Sequence, residues 1–463
     1  MTNSNIQTAK KPPIWLYALA VFITQLDGGA VSTLLPAISR NFHLTPVNAS
    51  WVAGLYTLGL VVGTPIVSNL SDHYGTKKVF LTELVLWFIG SLITFLSPNY
   101  FVMLAGRLVQ SLGDCGIIVL SMSEMLRAAK KGKQGRKVSL IGVVSGLSAI
   151  FGPIIAGISM GKTGNWRTFY EILMPCIVIL FLLAWKFLDN LQGQQDEKTD
   201  YVGITEFTVT LATGMLALSL AQHLQTYLMA IIILVVVAIV SCVLFVKHEK
   251  SLATDTMPFL PIKLLKQPAY VLTILLGALG GMLFAIFIYI PTYVHLTFHL
   301  PVRLAGMVLV GTGLGSVIGS YLGGLTSDKK GMRKALLSAS IVVGVMSLAI
   351  ALTIADLKAF IALSFVFGIG LGMLMSAPLQ VIAGRLSEPA DRIQAIGGLS
   401  TTKKIGVTIA PLIFGTVIQL SAVNGVPGLS SFRNMFIVVI VIAVLCIWAT
   451  LKIPFATIDN KNK

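Results

Sequence analysis

Charge is what this sequence has least of. Asp, Glu, Lys and Arg make up 11% of its 463 residues, against roughly 25% in a soluble domain, too little to cover a water-facing surface of this size. Cysteine is scarce as well. Cys115, Cys176, Cys242 and Cys446 fall singly inside apolar runs, so neither a disulfide framework nor a metal site is expected. The six histidines lie in or near polar breaks, and no His-Glu-x-x-His or nucleophile motif occurs, which argues against an enzyme. The polar connections reach only about 20 residues, short of the ~50 that a soluble domain needs. A net charge of +16 raises nucleic acid as a partner, but no basic domain carries it, so none is expected.

What remains is apolar. Hydrophobic residues make up 55% of the chain, in runs of about 20, each long enough to cross a ~30 Å hydrocarbon core as a helix. Polar breaks divide these runs into fourteen expected helices, at 14–37, 49–70, 79–97, 100–125, 138–160, 169–188, 203–222, 226–246, 269–293, 303–325, 335–355, 359–384, 394–420 and 433–452. The first follows Lys10 and Lys11 without a small-residue cleavage site and reads as a retained span. With the N-terminus inside, the outer connections hold only Arg40, Lys162, Arg167, Arg303, Lys358 and Arg433. Arg107, Lys403 and Lys404 fall within spans, and the other 25 of the 34 Lys and Arg lie inside. That asymmetry puts both termini in the cytoplasm, facing anionic lipid headgroups.

The chain also repeats itself. "SDHYGTKK" (71–78) is echoed by "SDKKGMRK" (327–334), "LLPAISRNFHLTP" (34–46) by "YIPTYVHLTFHLP" (289–301), and "GPIIAG" (152–157) by "APLIFG" (410–415). The offset stays between 255 and 258. Two six-helix halves therefore face the same way, residues 1–188 and 269–463, with a linker at 189–268 that holds the hairpin 203–222 and 226–246.

On these motifs the sequence resembles the major facilitator superfamily, and within it the fourteen-helix drug:proton antiporters. "LSDHYGTKK" resembles the signature after helix 2, "GRLVQSLG" (106–113) that of helix 4, and "SAIFGPIIAG" (148–157) that of helix 5. "NWRTFYEILMP" (165–175) and "DYVG" (200–203) resemble signatures of the fourteen-helix branch. The stretches "RNFHLTP" and "GRLVQ" are similar to Gram-positive tetracycline antiporters, but Ala149 stands where those carry a glutamate. The resemblance implies an all-α polytopic fold of two six-helix bundles plus two extra helices, no cofactor, and H⁺ as coupling ion with Na⁺ an alternative. It further implies a monomer that moves a small-molecule substrate.

The candidate site residues follow from charge inside the spans. Asp27 sits mid-way along the first helix, where an ionised carboxylate costs at least ~2.5 kcal/mol, so it needs a proton or a partner. Arg107, Gln110, Ser111 and Asp114 are spaced to share one helical face. Rise per residue puts Arg107 roughly 10 Å and Asp27 roughly 15 Å below the outer ends. A direct or water-mediated Asp27–Arg107 pair is therefore expected, in which Asp27 either carries the coupling proton and binds the substrate cation when deprotonated or is a permanent structural partner. Asp114, where the family commonly has a small residue, is a second titrating acid or an alternative partner of Arg107. Lys403 faces the centre or, like Lys404, snorkels to the interface. Tyr56 and Tyr289 are candidate cavity aromatics, while Glu83, Glu124, Glu171 and Glu206 read as interfacial.

Conformational roles fall to two further groups. Gly146, Gly152, Pro153 and Gly157 belong to a stripe of small residues that permits close helix approach, echoed by Pro411. In the antiporter branch this stripe is where the halves meet. Asp72, Gly75, Lys77 and Lys78, echoed by Asp328, Gly331, Arg333 and Lys334, form hinge loops that read as a latch on the outward-open state, or as loops that are basic only for orientation. The function implied is export of hydrophobic, cationic compounds from a bacterial cytoplasm across the cell membrane in exchange for protons. A neutral or anionic metabolite, lipid or peptide is the alternative cargo.

Overall fold

The computed structural model describes residues 13–44, 46–130, 132–189, 198–220, 224–251, 256–257, 262–300, 302–388, 391–422 and 427–455. In the first part of the chain the helices are α1 (Ile14–Asn41), α2 (Pro46–Tyr74), α3 (Thr76–Leu96), α4 (Tyr100–Leu112), α5 (Ile117–Ala128), α6 (Gln134–Thr163) and α7 (Thr168–Phe187). The hairpin α8 (Tyr201–Leu220) and α9 (Leu224–Ser251) follows, then α10 (Ile262–Leu265). The last part comprises α11 (Pro268–Phe284), α12 (Tyr289–Phe298), α13 (Val302–Lys330), α14 (Met332–Leu352), α15 (Leu357–Met375), α16 (Ala377–Leu386), α17 (Arg392–Leu420) and α18 (Leu429–Lys452). Thirteen helical segments among the described residues are long and apolar enough to cross a membrane, and Tyr201–Ala217 adds a shorter apolar stretch.

Three of the expected helices are broken. The helix expected over 100–125 is α4 and α5 with a break at Gly113–Gly116; that over 269–293 is α11 and α12 around a 3-10 turn at Ala285–Ile288; that over 359–384 bends at Ser376. Span length cannot reveal such breaks, because the apolar run continues on both sides of each one. The supposed hinge loops shrink to single glycines. Asp72 lies in the last turn of α2, with its side chain outside the described residues, and Lys77 and Lys78 open α3. Only Gly75 (φ 88°) and its echo Gly331 (φ 90°) leave the helix, in a region of backbone space essentially confined to glycine. The repeat is visible in the backbone elsewhere too: His43 (φ 52°) and His299 (φ 54°), from the echoed Phe-His-Leu, are the two non-glycine residues of positive φ among those described. A two-residue parallel pairing, β1 (Lys198–Thr199) with β2 (Thr256–Met257), brackets the hairpin.

The halves meet along two seams, α6 against α13 and α2 against α17. Along the first, close approach runs from Gly135 against Gly324 through Gly142 against Ser320 to Gly146 against Val317. Further along, a Cβ on Gly157, Gly161 or Gly311 would meet nothing within 4 Å. Packing along this seam is thus closest at the end that carries Gly75 and Gly331 and loosens toward the other. The small-residue stripe is accordingly divided. Gly142 and Gly146 face α13, whereas a Cβ at Gly152 would lie 2.4 Å from the Leu26 carbonyl oxygen of α1 in its own half, and Pro153 packs on Gly29. Six residues from Gly146 to Gly152 turn about 600° around a helix, which carries Gly152 to another face. The expectation that the whole stripe meets the other half holds only for its first part.

Candidate functional site

Asp114 lies in the α4–α5 break, and the break exists because its polar groups are satisfied from neighbouring helices. The Gly116 N–H donates to Glu83 Oε1 at 2.6 Å, and the Cys115 carbonyl accepts from Thr64 Oγ1 at 2.9 Å. Non-helical backbone at membrane depth is tolerated only where it is paired in this way and lines a cavity. Gly113 allows the close approach, since a Cβ there would sit 2.1 Å from the Trp87 nitrogen. Glu83, expected at an interface, is 1% exposed and serves as this cap. Its seven-residue distance from the start of α3 was the available signal, a depth of about 10 Å. Glu124 is buried as well and pairs with Arg127 at 2.5 Å.

The break opens onto a central cavity of about 430 Å³ between the halves. Asp114, Gln25 and Gly28 line it from the first half, and Phe284, Lys403 and Lys404 from the second. Asp114 Oδ2 accepts from Gln25 Nε2 at 2.9 Å and from the Tyr56 hydroxyl at 2.8 Å. Its Oδ1 is buried, and the Thr24 hydroxyl lies within reach of the carboxylate. Lys403 Nζ donates to the Met375 carbonyl at 2.8 Å, within its own half. Lys404 does not snorkel; it crosses the seam to Thr64 Oγ1 (2.7 Å) and the Leu60 carbonyl (3.2 Å) of α2.

Asp27 does pair with Arg107, directly, Nη1 to Oδ2 at 2.5 Å, with both side chains buried. It is not among the residues that line the cavity. Gln25, Gly28 and Gly29 face the cavity at i, i+3 and i+4, and Asp27, two residues from Gln25, points about 200° away. Arg107 also donates to the Gln110 side chain at 2.8 Å and stacks over the Tyr56 ring, 4.3 Å from its centroid. Tyr56 therefore connects the two acids: its ring carries Arg107, the partner of Asp27, and its hydroxyl holds Asp114. Tyr289 is turned away from the cavity, donating to the Pro411 carbonyl at 3.0 Å and packing on Phe414. Gln25, Glu83, Thr64 and Lys404 were the residues that sequence reasoning missed or assigned elsewhere.

The second hinge residue acts at the joined end. Asp328 on α13 accepts the N–H groups of Gly135 (2.7 Å) and Arg136 (2.9 Å) at the start of α6, and the neighbouring Arg385 donates to Gln134 at 2.8 Å. Gly331, Arg333 and Lys334 lie at the surface beside it.

The sequence whose helices pack around this polar-studded central cavity matches a known family model, that of the Major Facilitator Superfamily, over residues 17–356 and 297–462. The chain belongs to the Major Facilitator Superfamily. It is therefore a secondary transporter and multi-pass membrane protein, not an enzyme. It is 32% identical over 415 residues to the uncharacterized MFS-type transporter YfiU of Bacillus subtilis (strain 168), covering 88% of this chain and 80% of that one. Multidrug resistance protein 3 of the same strain is 25% identical over 426 residues, covering 90% and 81%. Among solved structures, the human organic anion transporter MFSD10 (TETRAN) shares the fold with a TM-score of 0.71 at 14% identity, covering 95% of this chain and 100% of that one.

Proposed function

We propose that this transporter is a proton-coupled exporter of hydrophobic small molecules, cations foremost, in a bacterial plasma membrane. Both termini and the joined end lie in the cytoplasm on this reading, because 25 of the 34 Lys and Arg fall there. Fourteen spans, two bundles at 1–188 and 269–463 and an inserted hairpin complete the architecture. The joined cytoplasmic end and looser outer end of the seam then make this an outward-open arrangement.

The observation that carries the reading is Asp114: a carboxylate on the wall of the central cavity, with one oxygen held by Gln25 and Tyr56 and the other buried, and with the Thr24 hydroxyl beside it. Proton and substrate cation compete for that carboxylate. Deprotonated Asp114 draws a cation from the cytoplasm, the halves rock, and a proton from outside displaces the cation. The neutral acid then returns without the penalty of a bare charge. Asp27 and Arg107 support this acid through Tyr56 and do not themselves meet the substrate. The multidrug name of one bacterial relative agrees with the reading.

The ammonium groups of Lys403 and Lys404, which line the same cavity from the second half, favour a second reading, in which the cargo is neutral or anionic. Both readings are tested by adding ethidium, or an uncharged or anionic dye of similar size, to weakly buffered, detergent-purified protein. The first predicts proton release with ethidium and its loss in Asp114→Asn. Saturable binding of the anionic dye with proton uptake, which survives in Asp114→Asn and vanishes in Lys404→Met, would replace it by the second.

A further inference from the structure

A second cavity, of about 250 Å³, lies outside the central one, where α8 of the hairpin covers the seam between α2 and α17. Its walls come from three bodies: Pro65 and Ser68 from the first half, Phe207 and Leu211 from the hairpin, and the remainder from α10, α11 and α17. No Asp, Glu, Lys, Arg or His lines it. Among these mostly apolar walls stand two side chains with unmet hydrogen-bonding capacity. Gln394 is 7% exposed, and neither its Nε2 nor its Oε1 has a partner; Thr401 is 4% exposed, and its Oγ1 has none. Burying such groups unpaired costs about 1–3 kcal/mol apiece, so an empty or dry cavity is a poor explanation for them.

Gln394 and Thr401 are seven residues apart on α17, two turns on one face and about 10 Å along the axis. A carboxamide offers both a donor and an acceptor, and a hydroxyl offers either. Neighbouring hydroxyls add acceptors, since Ser68 and Tyr270 spend their protons on the Thr64 and Ala395 carbonyls. The apolar remainder suits a hydrocarbon chain. A charged ligand would have no counter-ion here and would be desolvated at a prohibitive cost.

We propose that this cavity is a second ligand site, separate from the central one, which takes an uncharged amphiphile whose hydroxyl or amide groups pair with Gln394 and Thr401 and whose chain lies against α8. The hairpin thereby has a binding role, as one wall of the site.

The test uses the purified full chain with 1-monooleoylglycerol and the water-soluble 1-monobutyrylglycerol as probes, and oleate and oleylamine as charged controls of matched chain length. Saturable binding, read as a shift of the thermal transition and by calorimetry, is expected for a neutral glyceride and not for the controls. Binding of the oleoyl ester alone identifies a bilayer source, and binding of both a solute source as well. Gln394→Leu and Leu211→Trp, which remove the polar partner and fill the cavity from the hairpin, should each weaken binding tenfold or more while eluting as wild type. Leu211→Trp lies on a different helix, so the proposal stays testable if Gln394→Leu fails to fold. Equal binding of charged and neutral chains, undiminished binding in the variants, or no binding of either glyceride, which would leave water as the occupant, each overturns the proposal.

Discussion

Asp328, from the second half of the chain, caps α6 of the first half by accepting the Gly135 and Arg136 N–H groups at 2.7 and 2.9 Å. A helix start carries unpaired N–H groups and partial positive charge, so a carboxylate from the opposite half joins the two bodies at one point and is released when they part.

Asp328→Asn keeps the shape but loses the charge and one acceptor oxygen, worth about 1 kcal/mol as a cap and up to ~1 kcal/mol against the helix dipole. A shift of roughly 5- to 30-fold in the equilibrium away from the joined state is expected. Electron–electron distances between spin labels at the exposed Lys133 and Lys330, after replacement of Cys176 and Cys242, would read it as a longer-distance population. An unchanged distribution would remove Asp328 from the latch.

Lys404 joins the other seam through Thr64 and Leu60. Hydrogen bonds from a charged donor are worth about 1.5–3 kcal/mol. Lys404→Met should therefore raise maleimide labelling of a Ser68→Cys reporter about tenfold or more, whereas Lys403→Met, whose bond stays within one half, should leave that rate within about twofold.

The Asp27–Arg107 pair is buried at both ends. Removing one partner strands a charge, at a cost on the order of 3–5 kcal/mol. Arg107→Met should lower the thermal transition in detergent markedly, and Asp27→Asn added to it should restore a large part of the loss. A double variant no more stable than the single one would mean that the pair is not what Arg107→Met disrupts.

Two members of one glycine stripe should behave oppositely. Gly152→Ala places a methyl 2.4 Å from the Leu26 carbonyl oxygen and forces α1 and α6 apart, whereas Gly157→Ala enters open space and gains up to ~1 kcal/mol of helix propensity. Fluorescence-detected melting should show a clear loss for the first and no loss for the second.

Much of this was legible beforehand. Span positions followed from hydropathy, because backbone in lipid must satisfy itself within a helix. The repeat followed from glycine and histidine positions whose backbone angles are the same in both halves. The Asp27–Arg107 pair followed from depth and charge, two quantities that a helix keeps in register with sequence. What failed was facing. Gln25 takes the cavity face and Asp27, two residues on, does not, and the single helix expected over 100–125 breaks at Gly113.

Sequence by itself determined that this is a duplicated bundle of membrane helices with a few charges at known depths, since apolar length, loop charge and internal repetition are properties of the chain alone. Tertiary structure alone decided which of those charges meets the cavity. Whether Gly113–Gly116 can leave the helix depends on Glu83 and Thr64 arriving from α3 and α2 to satisfy the freed N–H and carbonyl. No local pattern around Asp114 encodes their arrival.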